Sequence, residues 1–187
     1  MEKKLLRAKY RFLRAEMDDA ALDSGSLAIA NQCLKLDIWD YRYFHVFLPI
    51  ASKREVNTEY LLQAIMGRDK CPVISRSDFE MLHMHHFILD EETIIKPNSY
   101  GIPEPQNGRE LDPESIDVIF VPLMAYDKRG HRVGYGKGFY DIFLSKCRLG
   151  AVKIGLSMFG PEDEISDISE ADIKLDFCVT PDAIHKF

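Results

Sequence analysis

An α/β fold with an open, largely parallel sheet flanked by helices is what the sequence predicts, and three observations predict it. Short apolar runs rich in β-branched and aromatic residues, such as 43–49 and 116–122, read as buried strands. Segments with apolar residues at helical spacing lie between those runs. The chain has 187 residues, enough for a single domain spanning 1–187 with a sizeable core.

Residues 2–17 read as a helix, because Leu5, Leu6, Leu13 and Met17, with Tyr10 or Phe12, recur on one side. The polar stretch 18–25 reads as its break, and 28–36 as a second helical run. The run YFHVFLP at 43–49, closed by proline, is the first strand. Residues 57–66 return to helical spacing, with Asn57 or Thr58 as N-cap and Gly67 as the stop. The strand KCPVIS follows at 70–75, its proline placed where a strand start tolerates it. Residues 79–90 alternate apolar with polar positions and read as another strand. Prolines and glycines crowd 96–110, so that stretch reads as a long loop of the kind that often carries function. The run IDVIFVP at 116–122 is the clearest buried strand; a glycine-rich stretch at 130–138 then opens the helix FYDIFLSKC. Strands at 151–157 and 173–180 complete the pattern. Ligands of open α/β sheets bind beyond the carboxyl ends of the strands, so the loops 49–56, 97–105 and 123–138 are where a site is expected.

Hydrophobic residues make up 46% and charged residues 29%, which excludes a disordered chain. A net charge of −6, with no interleaving of aromatic and basic residues, argues against nucleic acid as a partner. The basic opening, Lys3, Lys4, Arg7, Lys9, Arg11 and Arg14, is the exception and invites an anion. The four cysteines are far apart and form no CxxC, so neither a zinc site nor a disulfide framework is expected. No stretch has signal-peptide character or transmembrane length, and a cytoplasmic monomer without membrane contact is the expectation. His83 and His85 fall on one face of a strand and His86 on the other, with no second cluster of ligands, so they are read as strand residues rather than a metal site.

The most informative segment is DKRGHRVGYGKGFYD at 127–141, which joins a strand to a helix. Gly134, Gly136 and Gly138 alternate, leaving backbone N–H groups open to close approach. The helix beginning near Gly138 adds its positive end, and Arg132 and Lys137 add full charges. Phosphate fits this arrangement, and Asp141 in the first helical turn is placed to hold a magnesium ion against it. The stretch lacks the Walker pattern and is not a good dinucleotide fingerprint.

Taken with its flanks, VPLMAYDKRGHRVGYGKGFYD resembles the signature of the 5-formyltetrahydrofolate cyclo-ligases, also called methenyltetrahydrofolate synthetases. The likeness extends in order along the chain: KKLLRAKYR resembles the family's N-terminal helix, FLPIASKREVNTEYLL its strand and E-[IV]-x-T segment, NSYGIPEP its G-I-x-E-P loop, and ADIKLDFCVT its closing strand. The resemblance implies a Rossmann-like three-layer fold of the kind shared with sugar-phosphate isomerases and CoA transferases. It also implies closure of 5-formyltetrahydrofolate to 5,10-methenyltetrahydrofolate, with ATP as co-substrate and Mg2+ as cofactor.

By resemblance, Lys3 and Arg7, one turn apart, with Lys4 beside them, serve the ATP phosphates. Arg132, Gly134, Tyr135, Gly136, Lys137, Gly138, Phe139 and Tyr140 surround the nucleotide, with Arg132 and Lys137 as the catalytic cations. The stretch from Tyr135 to Phe139 faces the folate as well, together with Ile50, with Glu55 receiving the pterin, and with Tyr100 stacking on its rings. Asp141 and Asp172 are the implied magnesium ligands; Asp176 is a weaker candidate. Leu123, Phe139 and Ala171 depart from the family pattern, where glycine, tyrosine and often histidine stand. Two readings compete with a cyclo-ligase: a paralogue that binds nucleotide or folate without turnover, and a sugar-phosphate isomerase on a similar layout.

Overall fold

The computed structural model describes residues 1–187. In chain order the elements are α1 (Lys3–Glu16), α2 (Asp19–Cys33), β1 (Tyr43–His45), α3 (Glu59–Met66), β2 (Cys71–Asp78), β3 (His83–Ile88), β4 (Ile95–Pro97), β5 (Pro103–Pro105), β6 (Val118–Pro122), β7 (Ala125–Tyr126), β8 (Arg132–Val133), α4 (Phe139–Lys146), β9 (Val152–Leu156), β10 (Phe177–Val179) and β11 (Ile184–Lys186). Seven strands form one sheet in the order β11-β10-β9-β6-β1-β2-β3. The five inner strands run parallel, and β3 and β11 pair antiparallel at the two edges. No helix is long and apolar enough to cross a membrane.

Alternation along the strands builds three layers. Phe44 and Val46, Val118 and Phe120, and Ile154 and Leu156 point to one face, where Ile29 and Cys33 of α2 and Leu61 and Ile65 of α3 cover them. Ile119, Val121 and Val73 point to the other, under Phe143 and Leu144 of α4. The helix α1 lies apart, burying Leu6 and Tyr10 against Ala125 and Val133 of the small β7–β8 hairpin. From β1 the chain moves to β2 on one side and returns through β6 on the other, so the switch point of the sheet lies between β1 and β6. The segments leaving those two strands are 46–58 and 123–138, the second carrying the β7–β8 hairpin and the glycine-rich stretch.

Several elements differ from the sequence reading. The expected break at 18–25 is helical: α2 begins at Asp19, capped by the Asp18 carboxylate accepting from Ala21 N at 2.6 Å. Gly25 lies inside that helix because a Cβ there would sit 2.8 Å from Met158 Sδ; the glycine serves close packing, not a turn. The loop 96–110 contains the short β4–β5 hairpin. The closing strand is confined to Phe177–Val179, and β11 follows it unforeseen. Thr58 does not cap α3 with its side chain; its hydroxyl donates to Phe47 O at 2.6 Å, and Asn57 Oδ1 accepts from Glu59 N at 3.1 Å.

Asp127 fixes the base of the glycine-rich stretch. Its carboxylate is fully buried and accepts from the backbone N–H groups of Arg129, His131 and Ile165 and from the His131 ring. Burial alone pushes this carboxyl up, but the backbone donors and the His131 ring outweigh it and hold it below the usual carboxylate range. A depressed pKa adds stability above the unfolded value and loses it as pH falls through the folded one. The stability gap between the wild type and Asp127→Asn is therefore expected to be wide at neutral pH and to close below about pH 4, as read by denaturant melts at each pH. A gap that does not change with pH would show that the ionised form is not what the four donors hold.

Candidate functional site

The glycine-rich stretch runs from β8 to α4 and owes its shape to two left-handed residues. Gly136 and Gly138 have φ of 95° and 78°, which side chains other than glycine adopt only with strain. Gly138 caps α4, so the helix presents its N-terminus at the end of the loop. The Arg7 guanidinium packs on Gly136, where an added Cβ would meet its Cζ at 3.2 Å, and Arg7 Nε donates to Gly134 O at 2.8 Å. Arg7 thus ties α1 to the loop through backbone contacts that leave its charge without a carboxylate.

The predicted cations and carboxylates are brought into one cluster, largely paired with one another. Arg132, 7% exposed, donates from Nη2 to Asp141 Oδ1 at 2.7 Å and from Nη1 to Ile173 O. Ile173 N donates to the same Asp141 oxygen at 3.1 Å, which sets Asp141 beside the segment that begins with Asp172. Asp172 in turn pairs with Lys3 and accepts from Ser169 N at 2.7 Å. Burial pushes the Asp172 carboxyl up, yet the Lys3 and Ser169 donors and the nearby Arg132 charge bring it below the usual carboxylate range. Lys137 is exposed and has no hydrogen bond or ion pair, whereas Arg132 is withdrawn from the surface to hold Asp141. Lys4 is exposed without a partner and is not brought to the cluster. Asp176 lies elsewhere, paired with Lys153 at 2.8 Å.

Magnesium fits the two carboxylates. Each uses one oxygen for its recorded partners, Oδ1 of Asp141 and Oδ2 of Asp172, which leaves Oδ2 and Oδ1 for a cation. No group of three or more His, Cys, Asp or Glu side chains could hold a metal ion by itself. Two carboxylates are the usual protein share for Mg2+, which takes its other ligands from phosphate and water.

The second half of the site faces the loop from β1. Ile50 and Glu55 frame a 3-10 turn at Ala51–Lys53, and Ile50 N donates to Glu55 Oε2 at 2.6 Å. The Tyr135 hydroxyl donates to Glu55 Oε1 at 2.6 Å, so the glycine loop and the β1 loop meet side chain to side chain. Glu55 is 5% exposed; burial raises its pKa, opposed by the Ile50 and Tyr135 donors and the Arg14 and Lys53 charges. Burial likewise pushes the phenols of Tyr135 and Tyr140 up, which keeps both protonated at neutral pH. Tyr100 is 64% exposed and lies against Phe79 at 4.5 Å between ring centroids, and Phe79 meets Phe139 edge-on at 5.1 Å. An aromatic row therefore runs from the β4–β5 hairpin to the first turn of α4.

Two of these contributors escaped the sequence reading. Phe79 carried no signal beyond its place near a strand end, and Arg14 was one of several basic residues in α1. Two of the three departures from the family pattern, Leu123 and Phe139, are packed against neighbours, and Ala171 is exposed. Leu123 is 1% exposed and fills the space over Gly155, where an added Cβ would lie 2.5 Å from it. Phe139 lacks the hydroxyl of the family's tyrosine and meets Phe79 with its ring. The cleft beside Tyr135 has a volume of about 160 Å³, and its charged lining, Arg7, Arg11, Arg14, Lys53 and Arg54, is wholly basic. A larger hollow of about 530 Å³, lined in part by His83, His86, Glu110 and Lys146, shares no residue with this cluster. Its two histidines have different partners, Lys146 for His83 and Ser75 for His86, and His85, outside the hollow, pairs with Glu110.

Residues 1–181 match the model of the 5-formyltetrahydrofolate cyclo-ligase family. The chain is 28% identical over 200 residues to the probable 5-formyltetrahydrofolate cyclo-ligase of Schizosaccharomyces pombe, covering 98% of this chain and 97% of that one. It is 31% identical over 214 residues to the mitochondrial 5-formyltetrahydrofolate cyclo-ligase of Arabidopsis thaliana, covering 98% and 75%. The solved structure of Aquifex aeolicus 5,10-methenyltetrahydrofolate synthetase superposes with a TM-score of 0.85 at 24% identity, over 100% of this chain and 93% of that one, which shows the same α/β fold. With the family model matched over nearly its whole length, this chain belongs to the 5-formyltetrahydrofolate cyclo-ligase family.

Proposed function

We propose that the protein closes 5-formyltetrahydrofolate to 5,10-methenyltetrahydrofolate with consumption of ATP. The observation that carries this reading is the hydrogen bond from Tyr135 to Glu55, which joins the phosphate-type loop to the carboxylate suited to a pterin. A reaction between a nucleotide and a folate needs both held at one point, and the β1–β6 switch point brings the two loops together.

A formyl amide is a poor electrophile and its oxygen a poor leaving group; phosphorylation remedies both. The formyl oxygen attacks the γ-phosphorus and the bond to ADP breaks. The folate N10 then attacks the activated carbon, the C–O bond breaks with release of phosphate, and N10 gives up its proton. The protein's task is alignment and charge stabilisation rather than covalent participation. Lys137 supplies a free ammonium to the transferring group, and the glycine-loop amides and the α4 N-terminus supply fixed donors. Arg7 joins them from α1. Arg132 acts one step back, by holding Asp141. Bound magnesium would neutralise charge on the β- and γ-phosphates, and Asp141 and Asp172 are the residues that would hold it.

The test is the absorbance of the methenyl product with purified protein. A rise that requires protein, ATP, magnesium and 5-formyltetrahydrofolate together is expected, and chelation of magnesium should abolish it reversibly. Folded protein that binds either substrate without producing the band would leave a binding paralogue as the reading.

A further inference from the structure

Arg14 lies in the last turn of α1 and is 7% exposed, yet no carboxylate pairs with it directly. Its guanidinium bridges three segments. Nη2 donates to Leu123 O, just after β6, at 2.7 Å. Nη1 donates to Lys53 O in the β1 loop at 3.3 Å and to the Tyr135 hydroxyl at 3.0 Å. A buried guanidinium without a direct counter-ion is costly, so a site that keeps one uses its fixed fork of donors. Here the fork reaches both loops of the switch point and the glycine loop at once.

The bond to Tyr135 has a directional consequence. A phenol has one proton. With its oxygen already accepting from Arg14, Tyr135 must aim that proton elsewhere, and Glu55 Oε1 at 2.6 Å receives it. Glu55 is then held at both oxygens, by Tyr135 at Oε1 and by Ile50 N at Oε2. Each oxygen keeps lone-pair capacity for the paired N–H donors on one edge of a pterin.

We propose that Arg14 is a positioning residue for the folate half of the site: by fixing the proton of Tyr135 it orients the Glu55 carboxylate toward the pterin. This rests on the cyclo-ligase reading and names a residue of α1 outside the groups that resemblance assigns. A second effect runs the same way. The groups facing Glu55 are Arg14 from α1, Lys53 from the β1 loop, and Tyr135 and Tyr140 from the glycine loop and α4. The Arg14 charge is among those that favour the ionised form against burial. Without it Glu55 takes up a proton at higher pH, and the acid limb of kcat/KM for folate moves upward.

The experiment is a double-mutant cycle of Arg14→Met and Tyr135→Phe, with KM for 5-formyltetrahydrofolate, KM for ATP and kcat measured across pH. Loss of one charged hydrogen bond predicts a folate KM raised about tenfold in Arg14→Met, with ATP KM changed less than about twofold. At a pH above the acid limb, where Glu55 is ionised in every variant, the folate KM of the double variant should be no worse than that of Tyr135→Phe alone, because there Arg14 acts through that hydroxyl. Additive effects, or an unmoved acid limb, would overturn the proposal. Should Arg14→Met fail to fold, Tyr135→Phe must raise the folate KM and shift the limb by itself, and its failure to do so overturns the proposal equally. Wild-type turnover in the same assay separates the two levels. Its absence removes the reading of the site together with the proposal, whereas normal wild-type turnover beside an unaffected folate KM in Arg14→Met removes the proposal alone.

Discussion

Arg132→Ala is expected to lose both turnover and stability. The Arg132 side chain is 5% exposed and that of Asp141 29%. Breaking a fully buried ion pair costs ~3–5 kcal/mol, because one charge is left uncompensated. Asp141 retains the Ile173 N–H donor and some water, so about 2 kcal/mol is the appropriate figure here. That corresponds to a melting temperature lowered by roughly 4–8 °C in a domain of this size. Turnover should fall on the order of 10²-fold or more, since Asp141 loses the contact that orients it and the Ile173 carbonyl loses its donor. Arg132→Lys keeps the charge but cannot reach both partners with one fork, so it should fall between the two. An unshifted melting curve would show that the pair adds nothing to the fold. Turnover within twofold of wild type would show that Asp141 does not need Arg132.

The fold class was legible because it rests on local patterns. Apolar runs such as 116–122 are continuous since both faces of that strand are covered, and this burial also makes them conspicuous in the sequence. The helix α2 was legible only in its second half. Gly25 and the polar residues around it suggest a break, and only the approach of Met158 from a distant loop explains a glycine inside a helix. The closing strand was overestimated for a related reason. Ile173 and Leu175 have strand-like character, but their backbone groups bond to Asp141, Arg132 and Gly130 rather than to β9. The site takes those hydrogen bonds from the sheet.

The glycine loop was legible as a strand-to-helix turn with open backbone and two cations, since its glycines, its cations and its place between strand and helix are all consecutive in sequence. What the sequence does not carry is how the charges are shared. That Lys3 meets Asp172, that Arg132 meets Asp141, and that Arg14 stands behind Tyr135 all depend on where α1 and the segment 169–173 dock. Spacing within α1 places both Lys3 and Lys4 within a turn of Arg7, and it distinguishes neither Lys3 from Lys4 nor Arg14 from Arg11. Burial makes that distinction, and burial is a tertiary property.

Lys137→Ala is expected to differ from Arg132→Ala in stability: it should leave stability within about 0.5 kcal/mol of wild type and still reduce turnover by roughly 10²–10³-fold. The side chain is exposed and has no partner to lose. Its position is set by the backbone, between Gly136 and Gly138, both in left-handed conformations that alanine at 137 does not disturb. Of the four cations gathered here, Lys3 and Arg132 are neutralised by Asp172 and Asp141. Only Arg7 and Lys137 keep charge without a carboxylate, and Arg7 is held against the loop backbone. On the proposed function Lys137 is therefore the cation free to follow a phosphoryl group as charge spreads over its oxygens, and such an interaction would strengthen in the transition state more than in the bound substrate. Loss of kcat with little change in folate KM, measured beside an unchanged thermal melt, is the expected signature. A variant with normal kcat would move the electrostatic work to Arg7 and magnesium. A variant with a lowered melting temperature would mean that Lys137 has a partner in solution and is not the free charge of the site.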